Sequence, residues 1–135
     1  MTQHVVLDAS AALEVVLRRP RAAVLIGFLD AAESVSAPDL FVAEVTNALW
    51  KHVRAGDLTH DEAREALKDT LQLPESFAPS WELASEALDL ATKHGHPAYD
   101  AIYAALARRT TATVCTLDRR LGAMLDAMGV AKWSG

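Results

Sequence analysis

The chain has 135 residues, 51% hydrophobic and 23% charged, which excludes a disordered polymer and leaves room for one core, so one domain over residues 1–135 is expected. Its longest apolar runs, such as Ala22 to Leu29, fall short of the roughly 20 residues that cross a bilayer, and neither a basic segment nor a signal-peptide core stands at the start, so a cytoplasmic protein is expected. The net charge of -5 excludes a grip on nucleic acid through a broad basic surface; any such contact would have to be local.

His4 to Leu7 is short, apolar and rich in β-branched residues, and predicts a first strand. Ser10 to Leu17 and Arg21 to Ala32 have helical composition, with Pro20 between them. Ser34 to Ser36 predicts a second strand. From Pro38 the apolar set Phe41, Val42, Val45, Ala48, Leu49 and Val53 recurs at helical spacing until Gly56 closes the helix. Thr59-His-Asp-Glu62 has the spacing of a capping box and opens a helix to about Leu73, ended by Pro74. A helix from Trp81 to His94 stops at Gly95, and Pro97 suits the first turn of another ending near Arg109. Thr113 to Leu117 predicts a third strand, Asp118 to Met128 a last helix, and Val130-Ala131 a final short strand. Short apolar strands separated by helices imply an α/β fold, a parallel sheet covered on both faces.

In such sheets a site forms beyond the carboxyl ends of the strands, and two strands here end in aspartate: Asp8 after the first, Asp118 after the third. Either carboxylate could instead cap the helix that follows it. Glu44 falls about 40° to 60° from Ala48 and Phe41 on the helical wheel, at the margin of the buried stripe. Asn47, one turn on, shares that margin and could bond to whatever Glu44 binds, unless the two are simply solvated. Asp100 lies in a helix, Ala98 to Ala107, that is otherwise apolar except for two tyrosine hydroxyls. A carboxylate in a buried helix needs a partner, although its place in the first turn also lets the helix dipole stabilise it.

Read jointly, Asp8, Glu44, Asp100 and Asp118 are most simply explained by one pocket built around a divalent cation, because oxygen donors suit Mg2+ or Mn2+. Zinc is disfavoured: Cys115 is the only cysteine, and His94 and His96 flank a glycine at i, i+2, as loop residues would. A carboxylate-held magnesium most often acts on phosphates. No Gly-x-Ser-x-Gly elbow, Walker loop or Gly-x-Gly-x-x-Gly fingerprint is present, and Cys115, inside an apolar strand, is a poor nucleophile.

Four segments then resemble, in order and over nearly the whole chain, the PIN-domain nucleases: Val5-Val-Leu-Asp8-Ala-Ser10, Pro38-Asp-Leu-Phe-Val-Ala-Glu44-Val-Thr-Asn47, His96-Pro-Ala-Tyr-Asp100-Ala-Ile-Tyr, and Cys115-Thr116-Leu-Asp118-Arg-Arg-Leu121. The nearest resemblance is to the VapC-type toxins of toxin-antitoxin pairs. It implies a single PIN domain with a Rossmann-like short parallel sheet, and RNA hydrolysis by water activated on Mg2+, with Mn2+ able to substitute. Asp8 and Asp100 would bind the principal ion, Glu44 would help bind it or a second one, and Asp118 would complete the pocket and orient water. Ser10, Asn47 and Thr116 would hydrogen-bond to these ligands. The basic clusters Arg18-Arg19-Pro20-Arg21, Arg108-Arg109 and Arg119-Arg120 could supply a local RNA contact, unless they are solvated surface or helix-dipole partners, and Arg119 and Arg120 are the candidate substrate-binding residues. The resemblance also implies a homodimer, for which the surface around Trp50 and the helices flanking Gly56 is a candidate, and a VapB-type antitoxin whose arginine would match the acidic site.

The alternative is a catalytically silent PIN module that binds RNA or protein, against which the full acidic set argues. A phospho-accepting receiver or phosphatase ranks last, because Asp8-Ala-Ser10 lacks a second aspartate and no lysine follows a late strand.

Overall fold

The computed structural model describes residues 3–135; Met1 and Thr2, at the start of the stretch read above for a leader, lie outside the described residues. The chain runs β1 (His4–Leu7), α1 (Ala9–Val16), α2 (Ala22–Asp30), β2 (Ser34–Pro38), α3 (Leu40–Ala55), α4 (His60–Leu71), β3 (Ser76–Ala78), α5 (Ser80–His94), α6 (Ala98–Thr110), β4 (Thr113–Cys115) and α7 (Arg119–Met128). All strand pairs are parallel, in the order β3-β2-β1-β4, with Val5 facing Val35 on one side and Thr113 on the other. This is the expected α/β architecture. No described helix is long and apolar enough to cross a membrane.

β1 has a neighbour on each side, and its side chains alternate between two cores. Val5 and Leu7 pack with Leu13, Leu25, Phe41, Val45 and Leu49 from α1, α2 and α3. Val6 packs on the opposite face with Leu83, Tyr103, Leu121 and Leu125 from α5, α6 and α7. Burial on both faces is why β1 is apolar throughout rather than alternating. The chain steps outward from β1 to β2 to β3 and then returns to the far side of β1 as β4, so connections diverge at the β1–β4 boundary. A crevice forms at such a point beyond the strand ends.

Local signals place several boundaries. The Thr59 capping box is complete: Glu62 N–H donates to Thr59 Oγ1 at 3.1 Å and Thr59 N–H to Glu62 Oε1 at 2.9 Å. Gly56, at φ 84°, ends α3 in the left-handed region that favours glycine. The buried stripe of α3 is narrower than its apolar composition, since Val42 stays 37% exposed while Phe41 and Val45 are fully buried.

Three expectations change. β3 escapes the sequence because three residues between Pro74 and Pro79 have no readable period; it forms because Ser36, Ala37 and Pro38 of β2 pair with it and Phe77 meets Phe41 with ring centroids 6.0 Å apart. The strand expected to reach Leu117 stops at Cys115, because Leu117 N–H and Asp118 N–H turn to the hydroxyls of Ser10 and Thr116. The final strand expected at Val130-Ala131 is one parallel bridge between Val114 and Lys132, made by Val114 N–H to Ala131 O and Trp133 N–H to Val114 O, both 2.9 Å.

Leu7→Ala, which empties space at a fully buried position in the central strand, is expected to cost about 2–5 kcal/mol in urea unfolding. Thr59→Ala, at the exposed capping box, is expected to cost only about 1 kcal/mol.

Candidate active site

β1 and β4 end side by side, and Asp8 N–H continues their ladder by donating to Cys115 O at 3.0 Å. Asp8 stands at the N-cap position of α1 with extended backbone, yet its side chain makes no cap hydrogen bond. Its Oδ2 instead accepts from Ser10 Oγ at 2.7 Å and from Thr116 Oγ1. Each hydroxyl also accepts a backbone amide from the loop after β4, Leu117 N–H on Ser10 Oγ at 2.9 Å and Asp118 N–H on Thr116 Oγ1 at 3.0 Å. A hydroxyl has one proton, so both hydroxyls, already accepting, are oriented to donate toward the carboxylate. Burial pushes the Asp8 carboxyl above its ordinary range, the Ser10 and Thr116 bonds pull it back, and the charge of Asp118 adds to the rise.

Glu44, half-buried on α3, accepts from Tyr103 Oη at 2.6 Å. Burial raises its carboxyl too, the tyrosine bond lowers it, and the charges of Asp8, Asp100 and Asp118 all raise it. One carboxyl therefore feels the other three, which come from elements as far apart in sequence as β1 and α7. Asp100, in the first turn of α6, is 7% exposed and receives Arg120 Nε at 2.9 Å. Asp118 serves as a helix cap after all, its Oδ1 accepting from Arg120 N–H at 2.8 Å and Leu121 N–H at 3.2 Å.

The structure thus brings Asp8, Glu44, Asp100 and Asp118 to one end of the sheet, with Ser10 and Thr116 bonded to Asp8. Asn47 is exposed and makes no hydrogen bond there among the described residues. Arg120 donates its Nε to Asp100 with 60% of its side chain exposed, while Arg119 lines a neighbouring cleft. His94 closes α5 and only His96 is a loop residue. Sequence reasoning missed Tyr103, although a tyrosine hydroxyl in an apolar helix one turn from Asp100 needs a polar partner and so points to one. Its own hydroxyl is pushed up by burial and by the charges of Asp8 and Glu44, so it donates and does not ionise. Burial pushes the Cys115 thiol up to about 12, which removes it as a nucleophile.

Among the described residues no three His, Cys, Asp or Glu groups are gathered tightly enough to hold a metal ion unaided. The donor chemistry nonetheless fits a hard cation: the converging groups are carboxylates, and two of them are buried where ionisation is unfavourable, a penalty that a divalent charge reverses. Arg120 offsets part of that negative charge through Asp100.

A Rossmann-like sheet with acids at its β1–β4 crevice defines a class that the comparisons name. The PIN domain matches residues 5–124, and the chain belongs to the PIN-domain family. Within that family it is of the VapC type. It is 35% identical over 128 residues to Ribonuclease VapC3 of Pyrobaculum aerophilum, covering 91% of this chain and 95% of that protein. It is 29% identical over 126 residues to Ribonuclease VapC1 of Mycobacterium tuberculosis, covering 87% and 88%. The crystal structure of PAE2754 from Pyrobaculum aerophilum aligns with a TM-score of 0.70 at 28% identity, covering 92% of this chain and 87% of that one. VapBC2 from Rickettsia felis, bound to a DNA fragment from their promoter, aligns with a TM-score of 0.67 at 12% identity, covering 97% and 99%, a likeness of fold.

Asp8 and Glu44 bind protons more tightly folded than unfolded, so each destabilises the metal-free fold where it is ionised, fully above its raised value and not at all below its ordinary value of 3.8 or 4.5. Asp8→Asn is therefore expected to unfold at a higher temperature than wild type at pH 8 in EDTA, with the gap shrinking as pH falls toward 4. Calorimetry across that range checks it, and superimposable midpoints at every pH would show that Asp8 carries no such penalty.

Proposed function

We propose that this chain is a cytoplasmic, metal-dependent endoribonuclease, hydrolysing RNA phosphodiester bonds as the toxin of a VapBC-type pair. The observation that carries the reading is the gathering of acids beyond the ends of β1 and β4, where Asp8 feels the charge of Asp118 and Glu44 of α3 feels those of Asp8, Asp100 and Asp118, in a chain 35% identical to a VapC ribonuclease along nearly its whole length. Asp8 and Asp100 would hold Mg2+, or Mn2+ in its place, with Glu44 and Asp118 completing the donor set. When bound, such a cation neutralises the phosphodiester and lowers the pKa of a coordinated water.

The protein's own side chains do the rest. Ser10 and Thr116 hold the Asp8 carboxylate in one orientation by donating to Oδ2. Tyr103 aims Glu44 and opposes the rise of its carboxyl by donating to Oε1. Asp118 presents one oxygen to its helix cap and lends its charge to the pocket. Arg120 holds Asp100 and keeps the pocket from accumulating unbalanced charge.

Two partners accompany this reading. A VapB-type antitoxin is the partner expected of a VapC-type chain. A homodimer is also expected, and a mostly apolar groove of about 230 Å3 between α3 and α4, lined by Leu49, Trp50, Val53, Ala63 and Leu67, is surface that a partner chain could cover. The silent-module reading has one observation in its favour, that Arg120 and the α7 cap already engage two of the four acids.

Cleavage separates the two. Purified protein with Mg2+ or Mn2+ is expected to cut RNA, with transfer RNA among the substrates tried, and Asp8→Asn or Asp100→Asn is expected to reduce cutting to background with an unchanged circular dichroism spectrum. Thr116→Val should lose about 10–100-fold in rate and Thr116→Ser should recover it. A wild-type protein that leaves every RNA intact with either metal sinks the nuclease reading.

A further inference from the structure

A nuclease must hold a polyanion against a pocket that is itself anionic, and this chain has a net charge of -5. Several of its arginines are engaged elsewhere. Arg108 and Arg109 pair with Glu86, Arg120 pairs with Asp100, and Arg54 lies over the Trp50 ring.

One flank of the acid site differs. A cleft of about 480 Å3 opens beside Thr116 and Asp118 and is walled by Arg21, Arg119, Lys132 and Trp133. Its cations come from three separate parts of the chain: the turn ahead of α2, the first residue of α7, and the segment bridged to β4. Arg119 is exposed and has no ion-pair partner among the described residues. Lys132 passes over α7 beside Gly122, where an added Cβ would meet Lys132 Nζ at an ordinary contact distance of 3.4 Å. Asp126, one turn along α7, then receives that ammonium at 2.8 Å. Arg21 is anchored through its backbone N–H on Glu14 Oε2 at 3.0 Å and pairs with the same oxygen through Nε at 3.7 Å, its side chain 58% exposed. The first amides of α7 are not the attraction, since Asp118 already accepts those of Arg120 and Leu121.

The cleft is continuous with the acid site through Thr116 and Asp118, so a strand with one phosphodiester at Asp8 and Asp100 would carry its next phosphates to Arg119, with Lys132 and Arg21, each sharing its charge with an acid, on the same walls. We propose that this cleft is the phosphate-binding arm of the substrate site: a single RNA strand lies along it with flanking phosphates on Arg119, Lys132 and Arg21, and Trp133 forms the wall that limits its width. The identity of the strand rests on the ribonuclease reading above; the grip itself is measured without catalysis.

The test is fluorescence anisotropy of a labelled single-stranded RNA of mixed sequence with the wild-type chain in EDTA, over a range of KCl. Arg119→Glu is expected to weaken binding about tenfold or more, and Arg119→Gln or Lys132→Gln to lower the slope of log affinity against log salt by about 0.7 for each phosphate no longer neutralised. Lys93→Glu, an exposed cation on α5 outside the cleft, should bind like wild type. Thermal melts confirm that each variant folds. Equal binding by wild type and Arg119→Glu, an equal loss in Lys93→Glu, or wild-type binding without salt dependence would overturn the cleft. Cleavage assays separate the two readings. A protein that binds through Arg119 but cuts nothing with Mn2+ keeps the cleft and loses the nuclease. One that cuts RNA with KM and binding untouched by Arg119→Glu keeps the nuclease and loses the cleft.

Discussion

Two hydroxyls donating to one carboxylate oxygen, Ser10 and Thr116 on Asp8 Oδ2, tie the segment after β1 to the segment after β4. The tie works in both directions. It orients a buried carboxylate that would otherwise be poorly solvated, and through the amides of Leu117 and Asp118 it ends β4 where it does. Everything else at this end of the sheet is arranged around it: α1 begins one residue after Asp8, α7 begins one residue after Asp118, and the acid side chains of α3 and α6 close the remaining sides.

Electrostatics explains why this arrangement asks for a counter-charge. Asp8 and Glu44 are both driven toward the protonated form by burial and by their neighbours. In a fold selected for stability alone, apolar residues of similar size would pack these positions without that penalty. Retained buried acids with neighbours of like sign are a functional arrangement. Arg120 offsets only part of the charge, on Asp100, and from the rim of the site, with 60% of its side chain exposed.

The division of surface charge follows the same logic. Cations paired to neighbouring acids, as Arg108 and Arg109 are to Glu86, contribute little to a long-range field. A cation without a close partner, as Arg119 is, keeps its field available to a ligand. A protein can therefore be acidic in sum and still direct a polyanion to one groove, because attraction at the surface is governed by charges within about 10 Å and not by the total.

The features legible in the amino-acid order were those whose physics is local. A β-branched run gave β1, Ser34 to Ser36 marked the start of β2, the Thr59–Glu62 spacing gave a capping box, and an aspartate at the close of an apolar strand marked both Asp8 and Asp118 for the crevice end of a parallel sheet. Features that depend on neighbours from elsewhere were not legible. β3 is a strand only because β2 lies beside it, Tyr103 has a role only because Glu44 stands opposite, and Asn47 shares a helix margin with Glu44 yet makes no hydrogen bond among the described residues. The order of residues determined which groups could form a site and near which strand ends they had to lie, since helix and strand periods are properties of a short segment. Only the tertiary structure decided which donor each carboxylate received and where positions 21, 119 and 132 would meet, because hydrogen bonds and Coulomb energies depend on separation in space, which separation along the chain does not set.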